Sequence, residues 1–230
     1  MLDPDLDAAG LITAGRVLVD GRVATNPASL VRETASVRIT DARRRALRGE
    51  AKLAVALQAF HVGVEGRIAL DLGAAAGGFT RVLLRKGATR VYAVDTGYGQ
   101  LLGSLRQNPA VVNLERTNVA ELTPAHVPEA VTLVVADLSY ISLARALPQL
   151  SGRVTISPRA DLVAVVKPQF ELRLAEPPTR DRQLAEAVAR ARIGAMKAGW
   201  TAIDVVESPV SGARGSREFL LHGVRAATRC

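Results

Sequence analysis

From residue 51 onward the chain alternates between short continuous apolar runs and stretches with helical spacing. The runs RIALDLG (67–73), VYAVD (91–95), VVNLE (111–115), VTLVVADL (131–138) and DLVAVVK (161–167) predict buried strands. TAIDVVES and EFLLHGV predict two more near the end. Between them AKLAVALQAFHV, GGFTRVLLRKG, GQLLGSLRQ, ISLARALPQL and RDRQLAEAVARARIGAMKAG predict helices, the second stopping at Gly87. Continuous apolar strands separated by helices predict an α/β fold, a mostly parallel seven-stranded sheet covered on both faces. SPRADL and AEPPTR read as loops.

The first 40 residues follow another rhythm. LITAGRVLVDGRV predicts a short helical end, a break at Gly15, and two strand-like pieces around an Asp20-Gly21 turn. Asn26-Pro27 marks a further turn and ASVRI a third short strand. DARRRALRGE (41–50) reads as a charged connector, with Arg43, Arg44 and Arg45 either on a solvated helix face or gripping phosphate. The expected division is a small module over 1–42 and a main domain over 43–230.

Charge narrows the candidate partners. The 230 residues carry 30 Lys+Arg against 22 Asp+Glu, a formal net charge of +8. This favours a polyanion such as nucleic acid. Only four of the 30 are Lys, so Arg-rich coding explains part of the excess. Aromatics make up 3% of the chain, which argues against a base-stacking platform and for recognition by backbone charge and shape. No apolar run is long enough for a membrane span, the start MLDPDLDAAG is acidic where a secretory signal is basic, and the one cysteine is Cys230. The expected setting is cytoplasmic, without membrane or disulfide framework. Three isolated histidines predict no metal site.

The strongest chemical signal is DLGAAAGGFT, between a predicted strand and a predicted helix. Gly73 permits a tight turn, Ala74 keeps its floor low, and Gly77 and Gly78 allow a ligand to approach the helix start. Asp95 ends the next strand, 18 residues after Gly77, where an acid accepts both hydroxyls of a ribose. A nicotinamide site prefers G-x-G-x-x-G, but Ala75 occupies the second glycine position and the carboxylate of Asp71 precedes the turn. That carboxylate opposes a pyrophosphate and suits an ammonium and a sulfonium, so the expected cofactor is S-adenosylmethionine.

Four further residues stand at element ends: Lys52, Asp137, Lys167 and Glu218. Two are among the four lysines of a chain that otherwise writes Arg. The carboxyl ends of parallel strands face the ligand crevice, which places Asp137 and Lys167 side by side. In order, LRGEAKL, LDLGAAAGGFTRVLLRKGATRVYAVDTGYGQL, ERTN, VVADLSYISL, VVKPQFE and SREFLL resemble the TlyA-type, hemolysin-A-like branch of the FtsJ-like methyltransferases. The resemblance implies a Rossmann-like fold and a catalytic tetrad of Lys52, Asp137, Lys167 and Glu218. It implies cofactor contacts at Gly73, Gly77, Phe79, Asp95, Asn118 and Asp137; Thr80 closes the same turn. The reaction it implies is methylation of a cytidine ribose 2′-hydroxyl in 16S or 23S ribosomal RNA, with ribosomal subunits as partners and either a monomer or a homodimer as the active form.

The chain departs from that family at three places: Glu50 where a second glycine is usual, LRLAEPPTR where a glycine-rich segment follows the KPQFE motif, and Ser216 where Asn is usual. Residues 9–39 resemble the second half of an alpha-L RNA-binding motif, preceded here by acids rather than basic helices. These departures keep two alternatives open: a methyltransferase for a small molecule, and a hemolysin-like binding protein without catalysis. Methylation of ribosomal subunits against metabolites separates the first, and retention of all four tetrad residues speaks against the second.

Overall fold

The computed structural model describes residues 7–13, 17–19, 22–24, 26–39, 42–212 and 215–226. Helix α1 (Ala8–Thr13) precedes three short strands, β1 (Val17–Val19), β2 (Arg22–Val23) and β3 (Val37–Ile39). β1 pairs antiparallel with both others, Leu18 opposite Val23 and Val17 opposite Ile39. The strands on either side of the expected hairpin turn therefore pair. The turn itself, Asp20-Gly21, lies outside the described residues, as do Gly15 and Cys230.

Helix α2 (Ala42–Ala59) corrects the sequence reading. The charged stretch before residue 51 is the first half of one continuous helix, not a connector. Its Arg-rich half lacks an apolar stripe, so periodicity alone could not extend the helix backward. The side chains of Arg43, Arg44 and Arg45 lie outside the described residues.

The remaining elements follow as strand and helix in turn: β4 (Ile68–Leu72), α3 (Gly78–Arg85), β5 (Arg90–Asp95), α4 (Gly103–Arg106), β6 (Val111–Glu115), β7 (Val131–Ala136), α5 (Leu143–Ala146), β8 (Ile156–Val166), α6 (Pro168–Leu172), α7 (Asp181–Lys197), β9 (Trp200–Glu207) and β10 (Phe219–Arg225). The sheet order is β6-β5-β4-β7-β8-β10-β9. The first five strands in that order are mutually parallel, while β10 runs antiparallel between β8 and β9.

Side chains alternate between the two faces of the sheet. Leu133 and Val135 of β7 pack with Leu53 and Leu57 of α2 and Leu83 of α3. Val134 and Ala136 pack with Leu143 of α5 and Ala191 and Ala195 of α7 on the other face. Both faces are thus buried, which explains why the strands read as unbroken apolar runs.

One loop expectation fails. SPRADL is part of β8, not a loop. Its turn residues form a bulge: the pairing jumps from Val131 opposite Ile156 to Leu133 opposite Asp161, with Arg159 at φ 62°. Pro158 is tolerated there because a bulge asks for no ladder hydrogen bond. AEPPTR remains irregular, but a short helix, α6, begins directly after Lys167 where none was foreseen.

Candidate active site

Parallel strands bring their carboxyl ends to one rim. Asp95 ends β5, Asp137 follows β7 and Lys167 follows β8. Glu218 arrives by the opposite route. β10 is antiparallel and pairs Phe219 with Val166, so its first residues lie beside the last residues of β8. Lys52 is supplied by α2, which packs across this face of the sheet.

Their charged ends form a continuous chain. Lys52 Nζ lies 2.6 Å from Glu218 Oε2 and 3.6 Å from Asp137 Oδ2. Lys167 Nζ lies 2.7 Å from Asp137 Oδ1 and donates to Ser139 Oγ at 2.6 Å. The Lys52 and Glu218 side chains are 7% and 4% exposed, so each depends on the other for compensation. Burial alone would push the Asp137 carboxyl up, but the charges and hydrogen bonds of Lys167 and Lys52 outweigh it and hold the group below the usual carboxylate range.

All four residues line one cavity of about 790 Å³ together with Gly73, Ala74, Gly78, Phe79 and Asp95. Gly73 has φ 86°, and a Cβ there would lie 2.8 Å from the Asp137 carbonyl oxygen. Its N–H and that of Ala74 both donate to Val94 O, which fastens the turn to β5. Replacing Gly73 by Ala is expected to cost about 1–3 kcal/mol of stability and to weaken cofactor binding on the order of tenfold. Calorimetric titration with S-adenosylhomocysteine checks this; an unchanged affinity would refute the turn's role.

The other expected cofactor residues are placed differently. Asp71 lies one layer beneath the cavity rather than on its wall. It is fully buried and accepts a hydrogen bond from Thr80 Oγ1 at 2.7 Å. Gly77, at φ 89°, is the N-cap of α3, and side chains of Leu101 and Leu105 fill the space a Cβ would need. Asn118 caps a short 3-10 helix at Val119–Glu121 and accepts from Ala120 N. Asp71, Gly77, Thr80 and Asn118 are not among the cavity's lining residues.

Sequence reasoning missed Ser139, Tyr140, Gln169 and Phe170, which line the cavity. The available signal was adjacency, since each lies within three residues of Asp137 or Lys167. Among the described residues no group of His, Cys, Asp and Glu is placed to hold a metal ion, and no helix is long and apolar enough to cross a membrane.

Comparison with known proteins decides the family. Residues 46–225 match the model of the FtsJ-like methyltransferases. The chain belongs to the FtsJ-like methyltransferase family. It is 47% identical to the 16S/23S rRNA (cytidine-2'-O)-methyltransferase TlyA of Mycobacterium tuberculosis (strain CDC 1551 / Oshkosh), covering 93% of this chain and 82% of that one. It is 31% identical to Hemolysin A of Brachyspira hyodysenteriae, covering 94% and 91%. A solved structure from Streptococcus thermophilus that carries a hemolysin name superposes with a TM-score of 0.73 at 30% identity, over 95% of this chain and 82% of that one. The fold is the Rossmann-like fold of S-adenosylmethionine-dependent methyltransferases.

The residues present fit S-adenosylmethionine. Asp95 accepts from Ala75 N at 2.9 Å through one oxygen and from Gly97 N at 2.6 Å through the other, which leaves each oxygen a lone pair for a ribose hydroxyl. Ala74, Ala75 and Ala76 make the adjoining wall from side chains no larger than a methyl group.

Proposed function

We propose that this FtsJ-like methyltransferase methylates the 2′-hydroxyl of a cytidine ribose in ribosomal RNA, in the cytoplasm. The observation that carries the reading is the chain Glu218–Lys52–Asp137–Lys167, whose four members converge on one cavity rim. The 47% identity to an enzyme named for that reaction supports the substrate. Residues 1–42, with their separate three-stranded sheet, are read as a small RNA-facing module, and residues 43–230 as the methyltransferase domain.

Bound S-adenosylmethionine supplies an activated methyl group. The protein's task is to align and deprotonate a hydroxyl that is a weak acid. Lys167 Nζ has two of its directions fixed by Asp137 and Ser139, which leaves the third for the incoming hydroxyl. It either accepts the proton or steadies the developing oxyanion. Asp137 holds both amines apart, and Glu218 anchors Lys52 behind it. Gly73, Ala74, Gly78, Phe79 and Asp95 would hold the cofactor.

The test is transfer of tritiated methyl from S-adenosylmethionine to purified small and large ribosomal subunits, with mapping of the modified nucleotide. Label on a cytidine 2′-oxygen is the expected result. Absence of label on both subunits, with cofactor binding demonstrated, overturns the substrate in favour of a small molecule.

A further inference from the structure

We propose that Glu171 is a positioning residue for the Asp137–Lys167 pair, acting by locking together the two chain segments that leave those residues. The inference rests on the reading of Lys167 as the group that meets the substrate hydroxyl. β7 and β8 are adjacent and parallel, and beyond Asp137 and Lys167 the chain diverges toward α5 and α6. The segments are joined twice. At the near end Lys167 Nζ binds Asp137 and Ser139. At the far end Glu171 Oε1 accepts the N–H of Leu143 at 2.6 Å. The two joints close a ring that runs along residues 137–143 and back along 167–171.

The choice of a carboxylate here calls for a reason. Ser142 is the N-cap of α5, yet its side chain makes no capping hydrogen bond. Glu171, from a different element, accepts the first helical N–H, that of Leu143, which an N-cap side chain does not reach. It is 4% exposed, and its Oε2 is buried without a hydrogen-bond partner among the described residues. A buried carboxyl with an unsatisfied oxygen is costly, so its retention here calls for a compensating role. What Glu171 provides and Ser142 cannot is a tie across to α6, whose first turn follows Lys167. From α7 the guanidinium of Arg190 donates to the Glu171 carbonyl oxygen and is itself held by Glu186. Burial pushes the Glu171 carboxyl up to about 7, against the pull of the α5 amides and Arg190.

The experiment uses the full chain with Glu171→Gln and Glu171→Ala, and two readouts. The first is methyl-transfer kinetics. Glu171→Ala, which removes the acceptor, is expected to lower kcat on the order of tenfold while leaving KM for S-adenosylmethionine within about twofold, because the glycine turn is untouched. Glu171→Gln, whose amide oxygen still accepts the Leu143 N–H, is expected to recover most of that loss. The second needs no substrate. The chain has only Lys52, Lys86, Lys167 and Lys197, so lysine carbon-13 resonances are resolvable, and Lys167→Arg assigns its own. In Glu171→Ala the Lys167 side-chain resonance is expected to leave its wild-type position, because the joint that holds the two segments together is gone, and in Glu171→Gln it is expected to stay close to that position. The Lys86 and Lys197 signals are expected to stay in place in every variant. A Lys167 signal identical to wild type in both variants overturns the proposal. If ribosomal subunits are not methylated at all, the substrate reading fails while the resonance still decides the role of Glu171.

Discussion

Replacing Lys167 by methionine is expected to reduce methyl transfer on the order of 1,000-fold with little change in cofactor affinity. Methionine keeps the length of the side chain and removes the nitrogen that lies 2.7 Å from Asp137 and 2.6 Å from Ser139. Asp137 keeps Lys52 as a counter-ion at 3.6 Å, so its carboxylate is not left wholly unpaired and the fold should survive. Lys167→Arg tests the chemistry more sharply. A guanidinium preserves the charge but does not lose its proton in proteins, and its planar fork cannot reproduce the three directions of an ammonium. A comparable loss is expected for it. Single-turnover transfer, measured beside calorimetric binding of S-adenosylhomocysteine, separates the chemical step from cofactor affinity. Wild-type turnover by either variant would remove Lys167 from the reaction.

The fold was legible where the chemistry of the strand is simple. β4, β5 and β7 lie inside the parallel part of the sheet, so nearly all their residues are buried and apolar and announced themselves. The sequence misled where a local signal competed with tertiary context. Pro158 and Asp161 look like turn residues, but the turn they make is a bulge within β8. Asp71 looks like a ligand-facing acid, but β4 is an interior strand and Thr80 of α3 covers the carboxyl. The site was partly legible for the same reason as the fold. Asp95, Asp137 and Lys167 sit at strand ends, and strand ends can be counted. Lys52 and Glu218 also stood out at predicted element ends, Lys52 at the start of a helix that in fact begins at Ala42, and family resemblance joined them to the tetrad. Nothing local reveals that α2 crosses this rim or that an antiparallel β10 starts beside the end of β8. Ser139 had only its adjacency to Asp137 to mark it, because its hydroxyl meets Lys167 across the neighbouring ends of β7 and β8.

Stability without cofactor is expected to fall as pH rises from about 5 to about 7, the reverse of the usual carboxylate behaviour. Two buried acids are responsible. Burial pushes Asp71 up to about 7 despite the hydrogen bond from Thr80, with Asp137 and Asp95 adding to the rise. Glu171 is likewise raised by burial to about 7. Their ordinary values are 3.8 and 4.5. Between those values and about 7 the folded chain keeps protons that the unfolded chain has released, so each added pH unit favours unfolding. The slope is about 1.4 kcal/mol per pH unit per group, or about 3 kcal/mol each across this window as an upper figure. Asp137 works in the opposite sense. Its depressed carboxyl contributes stability that is present above the unfolded value of 3.8 and is lost only as pH falls through the still lower folded value. Its effect therefore lies outside the window and cannot mask the other two. Urea unfolding at about pH 5, 6, 7 and 8 measures the slope, and Glu171→Gln should remove the share that belongs to Glu171. A stability that climbs steadily through this range would mean that neither carboxyl keeps its proton in the folded chain, and that the negative charge beneath the glycine turn is carried at a lower cost than its burial implies.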